Sequence, residues 1–221
     1  MSNHMASAPY RLAMFPLGQP VLPGGLLPLR IFEPRYLALL RHCLQMESPE
    51  FGVVLIERGF EVGGCDHRTM FGTAVGLVEA LPRPTGDVAV VGIGRRRLRV
   101  VEWLPDEPHP WALVEDWPDS ESDVGDDVMT LIATTLDRLR RLADLSGLPD
   151  RHHEAIERLA TAAEVLDASE LSFALAASAG FGAADQQRLL CCEGALDRLR
   201  TMQELLDDLE AVVRFQLGEG T

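Results

Sequence analysis

No lysine occurs anywhere in the 221 residues; all 20 basic residues are arginine. That absence excludes a Schiff-base lysine, a Ser–Lys dyad and the phosphate-cradling lysine of a P-loop. Cysteine is scarce, with only Cys43, Cys65, Cys191 and Cys192. None of them forms C-x-x-C, so neither a disulfide framework nor a zinc ribbon is indicated, and a reducing cytoplasm is the expected setting. No apolar run nears the roughly 18 residues of a membrane span. Residues 1–9 show neither the basic nor the apolar region of a secretory signal and are expected to be disordered. Positive charge is short overall, since 34 acidic residues leave a formal net charge of −14. A balance of that sign disfavours a nucleic-acid-coating role.

What is present reads as an ordinary globular chain, 47% hydrophobic and 24% charged. The charge is unevenly placed: residues 1–103 carry a formal +2 and residues 104–221 carry −16. Composition changes at the same point. Before it, short Val, Leu, Ile and Phe runs are punctuated by Gly and Pro, which predicts strands over 11–17, 26–32, 51–56, 71–81, 88–101 and 111–115. Glu33-Pro34 opens the one helix of this half, with Tyr36, Leu37, Leu40 and Leu44 at helical spacing. After it, Ala/Leu/Glu/Asp/Arg stretches predict helices from about 128, 151 and 169, and another over 183–217 with a possible break near Glu193-Gly194. The expected fold class is therefore α+β: a small antiparallel β-barrel with one helix over 10–116, an acidic connector over 117–127 and a helical bundle over 128–217.

Most catalytic constellations fail on inspection. Gly92-x-Gly94 lacks a third glycine and leads into a strand-like segment, so it is no dinucleotide fingerprint, and no G-x-S-x-G elbow occurs. His153-Glu154-Ala155-Ile156-Glu157 resembles H-E-x-x-H, but its fifth position is Glu; His152 stands beside it. Three such groups could serve a metal-dependent hydrolase only if further ligands joined them; the preferred reading is a solvated helix start, with no metal and no cofactor. Cys65-Asp66-His67 puts a thiol beside an imidazole in a loop, a pairing that needs an orienting third group to make a nucleophile. Cys191 and Cys192 read as one partly exposed and one buried small side chain. On a strand, Arg95, Arg97 and Arg99 share one face. Such a face grips phosphate or acidic peptide, or is a solvated face partnered by the acidic half, and the latter is preferred. Trp103, Trp111 and Trp117 cluster near the end of the strand-rich half, as core or as partner-binding anchors.

The order of the pieces carries more than any one of them. Met14-Phe15-Pro16-Leu17, then Val21-Leu22-Pro23-Gly24-Gly25 and Leu26-Leu27-Pro28-Leu29-Arg30-Ile31-Phe32, resembles the opening of the N-terminal domain of the Lon (peptidase S16) protease family. The resemblance continues through Glu33-Pro34-Arg35-Tyr36, Phe71-Gly72-Thr73-Ala74-Val75 and Gly92-Ile93-Gly94-Arg95-Arg96-Arg97-Leu98, and through Phe173 to Ala177, Asp185 to Leu190 and Leu196 to Leu199, so that it covers about 10–215. It implies a PUA-like barrel followed by a helical bundle, a substrate-recognition module of cytoplasmic protein quality control. It also implies a stand-alone domain, because a lysine-free chain supplies neither the ATPase lysine nor the dyad lysine of the protease. The expected activity is therefore non-catalytic binding of a polypeptide or partner protein in a groove between barrel and helices, with homo-oligomers as a further option and no nucleic acid or membrane. Position in the chain nominates Phe15, Leu17, Pro28, Phe32, Phe60, His67 and Phe71 for that contact. An RNA-binding barrel acting through Arg95, Arg97 and Arg99 and a small hydrolase stand as alternatives.

Overall fold

The computed structural model describes residues 8–58, 67–120 and 126–218, which divide into two compact units, Met1–Pro118 and Asp119–Thr221. The first unit holds β1 (Tyr10–Leu17), β2 (Leu26–Ile31), α1 (Pro34–Cys43), β3 (Glu50–Arg58), β4 (His67–Pro82), β5 (Val88–Leu104) and β6 (Trp111–Asp116). The second holds α2 (Asp126–Leu145), α3 (Asp150–Ala162), α4 (Ala168–Ser178), α5 (Ala183–Leu190) and α6 (Ala195–Gln216).

The six strands run in the order β2-β5-β4-β3-β1-β6, and β6 also pairs with β5. The 17-residue length of β5 makes this double pairing work. Its first part, Val88 to Ile93, pairs with β2, and its last part, Leu98 to Leu104, pairs with β6. The result is a closed ring β5-β4-β3-β1-β6, with β2 attached outside it. The antiparallel expectation needs one correction: β1 and β3 run parallel, Met14 opposite Gly52 and Leu17 opposite Leu55. Parallel neighbours need a long crossover, and β2 with α1 lies in the connection between these strands. The remaining pairings are antiparallel.

The apolar run in β1 is continuous because both of its faces are covered. Leu12 and Met14 join one buried cluster with Val54, Ala74, Leu98 and Val114, while Ala13, Phe15 and Leu17 join a second with Tyr36, Leu39, Phe51 and Val53. Phe15 stacks on Tyr36 of α1, ring centroids 3.9 Å apart. Helix α1 thus closes the second cluster by the Tyr36, Leu39, Leu40 and Cys43 stripe that its helical period dictates. The Cys43 thiol donates to the Glu50 carbonyl at 3.2 Å, and burial pushes its pKa up to about 12, which makes it a packing residue.

Arg96 of β5 ties the ring together. It donates to both oxygens of Glu50 on β3, to Asp116 on β6 at 2.7 Å and to the Tyr10 hydroxyl on β1 at 2.8 Å. Burial and the hydrogen bond to Asp116 push the Tyr10 phenol up to about 12, so it stays a neutral donor.

Near the β5–β6 turn the His109 ring, 1% exposed, lies 4.4 Å from Trp111 and 6.0 Å from His42. The Arg11 guanidinium stands 3.9 Å over the same Trp111. Burial holds the His109 pKa below its ordinary 6.5 against the hydrogen bond with the Pro110 carbonyl, and the neighbouring His42 and Arg11 reinforce the effect against Asp106. Because the folded value lies below the unfolded one, the neutral ring's contribution is complete above 6.5 and is lost as pH falls through and below it. Urea melts at pH 7.5 and 5.5 are expected to show lower stability at the acid end, with a smaller difference in His109→Gln. An equal difference in both proteins would remove His109 as the cause.

In the second unit α2 and α6 pack along apolar stripes, with Ile132, Leu136 and Leu139 on α2 and Leu199, Met202 and Leu206 on α6 all buried. Arg138 crosses between them, donating to the Gln203 carbonyl and pairing with Asp207 at 2.6 Å and Glu210 at 2.8 Å. The break near Gly194 is real: Gly194 is the N-cap of α6, separating it from α5. Cys192 is buried and Cys191 half-buried at this break.

Candidate functional site

Strand β2 is the feature of the barrel unit that looks incomplete. It pairs with β5 alone, and among the described residues no strand lies on its other edge. Pro28, exposed within the strand, suits that position, because a proline withdraws one donor from a ladder and is tolerated at an edge. The strand is flanked by two large apolar side chains in solvent, Leu26 at 71% and Phe32 at 60% exposure. An edge with unpaired backbone groups between such residues is a template for a further strand.

A groove of about 360 Å³ opens in the same unit, lined by Leu37, Leu40 and Arg41 of α1, by Leu44 just after it, and by Ala80, Pro82 and Val88. Val88 pairs with Ile31 of β2, which connects the groove wall to the edge strand through one residue of β5. Below the edge, Asp87 is buried at 3% exposure and receives the Arg30 Nε of β2 at 2.6 Å. The hydrogen bonds from Thr85 and Arg30 hold its carboxyl below the usual range, fixing the turn between β4 and β5.

The nominated residues take different places in the fold. Pro28 and Phe32 lie at the edge just described. Phe15 and Leu17 are buried, at 7% and 9% exposure, and their faces are already used by the core, so they form no free surface. Phe71 packs on Trp117, centroids 4.4 Å apart. His67 is the first residue of β4, whereas Phe60 and Cys65 lie outside the described residues. A continuous apolar run, Leu12 to Leu17, signals a strand covered on both faces, and that cue places Phe15 and Leu17 in the core.

The arginines do not form a shared anion-gripping face. Arg95 is the extra residue of a bulge, since Gly94 pairs with Val75 and Arg96 with Ala74. Arg97 is buried under Trp117, its guanidinium 4.1 Å from the ring, and Arg99 pairs with Glu115. In the helical unit His153 meets Asp144 at 3.0 Å and Glu157 meets Arg140 at 2.7 Å, so these two are not drawn together as ligands. No group of three or more His, Cys, Asp or Glu that could hold a metal is present among the described residues, and no described helix is long and apolar enough to cross a membrane.

Comparison with known proteins gives the architecture a context. The sequence profile of the ATP-dependent protease La (LON) substrate-binding domain matches residues 11–208. A Lon protease of Flavobacterium johnsoniae is 25% identical over 228 residues, covering 96% of this chain and 27% of that protein. The chain thus spans about a quarter of that curated relative. The crystal structure of a Lon N-terminal domain protein from Xanthomonas campestris superposes with a TM-score of 0.64 at 24% identity, covering 88% of this chain and 98% of the other. The N-terminal domain of the Mycobacterium avium complex Lon protease gives 0.66 at 21% identity, covering 90% and 99%. At these identities the two structures establish the same fold.

Proposed function

Because this chain belongs to the LON substrate-binding domain family, we propose that it binds extended apolar polypeptide on the barrel unit, as a recognition module serving protein quality control rather than as a catalyst. The ligand adds a strand to the outer edge of β2. Backbone hydrogen bonds supply affinity without regard to sequence, and apolar side chains settle against Leu26, Phe32 and the α1 groove. The observation that carries the reading is the edge itself: among the described residues β2 has one strand partner, and it is bracketed by apolar residues at 71% and 60% exposure. Large exposed apolar side chains beside a strand edge are a liability that soluble proteins cover or use.

The test is a double substitution, Leu26→Asp with Phe32→Asp. Both side chains are already solvated, so the thermal midpoint is expected to stay within a few degrees of the parent. Affinity for a permanently unfolded, S-alkylated polypeptide, read by fluorescence anisotropy, is expected to fall about tenfold or more. Unchanged affinity in a folded double variant would end the proposal for this edge.

A further inference from the structure

The helical unit contains a partly enclosed cavity of about 450 Å³ that is separate from the barrel edge. Its walls are largely aliphatic, including Leu139, Leu142, Ile156, Leu209 and Val213. That size and lining suit a small molecule or a single terminal residue rather than a folded partner.

Three observations decide what polar group such a ligand carries. The last turns of two helices line the cavity: Leu142, Ala143 and Ser146 at the end of α2, and Ala177, Ser178 and Ala179 at the end of α4. A helix C-terminus is the negative pole of its dipole, and neither of these helices has a basic residue in its last turn to balance it. The third helix end, the first turn of α3, already carries Asp150 against its positive pole. Second, the imidazole of His152 lines the cavity, and its Nδ1 is buried with no hydrogen-bond partner among the described residues. In the neutral ring protonated at Nε2 this atom is an acceptor, and a buried acceptor left unpaired is unfavourable. Third, residues 119–221 hold nine arginines against 21 acidic residues, a formal −12 that repels anions and draws in cations.

The geometry points to an apolar ammonium ligand: an aliphatic body among the leucines, with a charged N–H donor directed to the α2 and α4 C-termini and to His152 Nδ1. A carboxylate of the same length meets two negative helix poles and the field of the unit, and an alcohol gains from neither. Two sources offer this chemistry, a free alkylamine and the N-terminal ammonium of a polypeptide that begins with an apolar residue. The inference does not depend on the β2 edge being a binding site.

The experiment titrates the full chain with n-hexylammonium, 1-hexanol and hexanoate, followed by calorimetry and by amide shifts of Ala155, Ala177 and Leu209. Hexylammonium is expected to bind about tenfold more tightly than either analogue. In Ala155→Phe, which fills the cavity, all binding is expected to vanish. In His152→Phe, which keeps a ring and removes the acceptor, the preference for ammonium over alcohol is expected to shrink. Hexanoate binding as tightly as hexylammonium, binding that survives Ala155→Phe, or no binding at all each overturns the inference. A peptide beginning with leucine, free or N-acetylated, separates the sources. Binding of the free form alone assigns polypeptide N-termini, and binding of hexylammonium without either peptide assigns free amines.

Discussion

Replacing Arg198 with methionine is expected to cost the helical unit about 3–5 kcal/mol. The side chain is fully buried, at 0% exposure, and donates four hydrogen bonds. Its guanidinium reaches both oxygens of Asp119, at 2.6 and 3.0 Å. It also donates to Ser172 Oγ of α4 at 2.6 Å and to the Leu189 carbonyl of α5 at 3.3 Å, and it lies 3.4 Å over the Phe173 ring. One side chain of α6 therefore binds α4, the end of α5 and the segment that enters the unit. Methionine fills a similar volume, so the loss is electrostatic: Asp119, whose side chain is 12% exposed, loses both of its guanidinium hydrogen bonds. Breaking a buried ion pair from one side leaves a poorly compensated charge, and that is the dominant cost. For a domain of this size the midpoint is expected to drop by on the order of 15 °C. Arg198→Lys is expected to fall between, because an ammonium lacks the planar fork that meets two carboxylate oxygens at once. Chemical denaturation followed by far-UV circular dichroism reads all three. A methionine variant within about 1 kcal/mol of the parent would mean the charge pair contributes no more than a surface bridge.

Nothing in the sequence marks Arg198 as different from Arg200 or Arg188. All three sit in acidic, helical surroundings, yet Arg200 and Arg188 are exposed. Helical period places Leu199, Met202 and Leu206 on the buried stripe, and a polar residue beside that stripe reads as its border rather than its centre. Its burial is decided by Asp119, 79 positions away, a distance over which sequence pattern carries no information. Arg97 is hidden for the same reason, its cover being Trp117, the residue just after β6. By contrast, local features were legible. The strands and the helix breaks at Gly147 and Gly194 follow from glycine, proline and periodicity, which act within a few residues. The parallel β1–β3 pair was not legible, because side-chain alternation is the same in either direction and only the crossover path decides it. Of the edge proposed for binding, Pro28 and Phe32 are among the residues nominated from position, whereas Leu26 is not, because its strand gives no cue to which end is exposed.

The second large effect is expected at Gly72, in the Gly72-Thr73-Ala74-Val75 segment that carries part of the family resemblance. Here β4 passes so close to β3 that a Cβ on Gly72 would fall on the Val53 carbonyl oxygen, with the Val54 Cγ1 only 2.7 Å away. The obstacle is backbone already engaged in the β3–β4 ladder, where Gly72 faces Val54 on one side and Leu98 of β5 on the other. It has no rotamer by which to yield. The next residue adds a second constraint, since the buried Thr73 hydroxyl donates to the Val21 carbonyl and pins the segment before β2 against the sheet. Moving β4 outward to admit a methyl group would strain that bond as well. Gly72→Ala is expected to lose about 3 kcal/mol, the upper end for overpacking a core. Gly86 supplies the control: its φ of +84° is the left-handed region, but nothing lies within 4 Å of an added Cβ. Gly86→Ala should therefore show only the backbone penalty of about 1–2 kcal/mol. If urea denaturation of the two variants gave the same loss, close strand approach would not be the reason for glycine at position 72. A larger loss in Gly72→Ala, accompanied by weaker binding of unfolded polypeptide, would tie the integrity of the ring to the edge strand it supports.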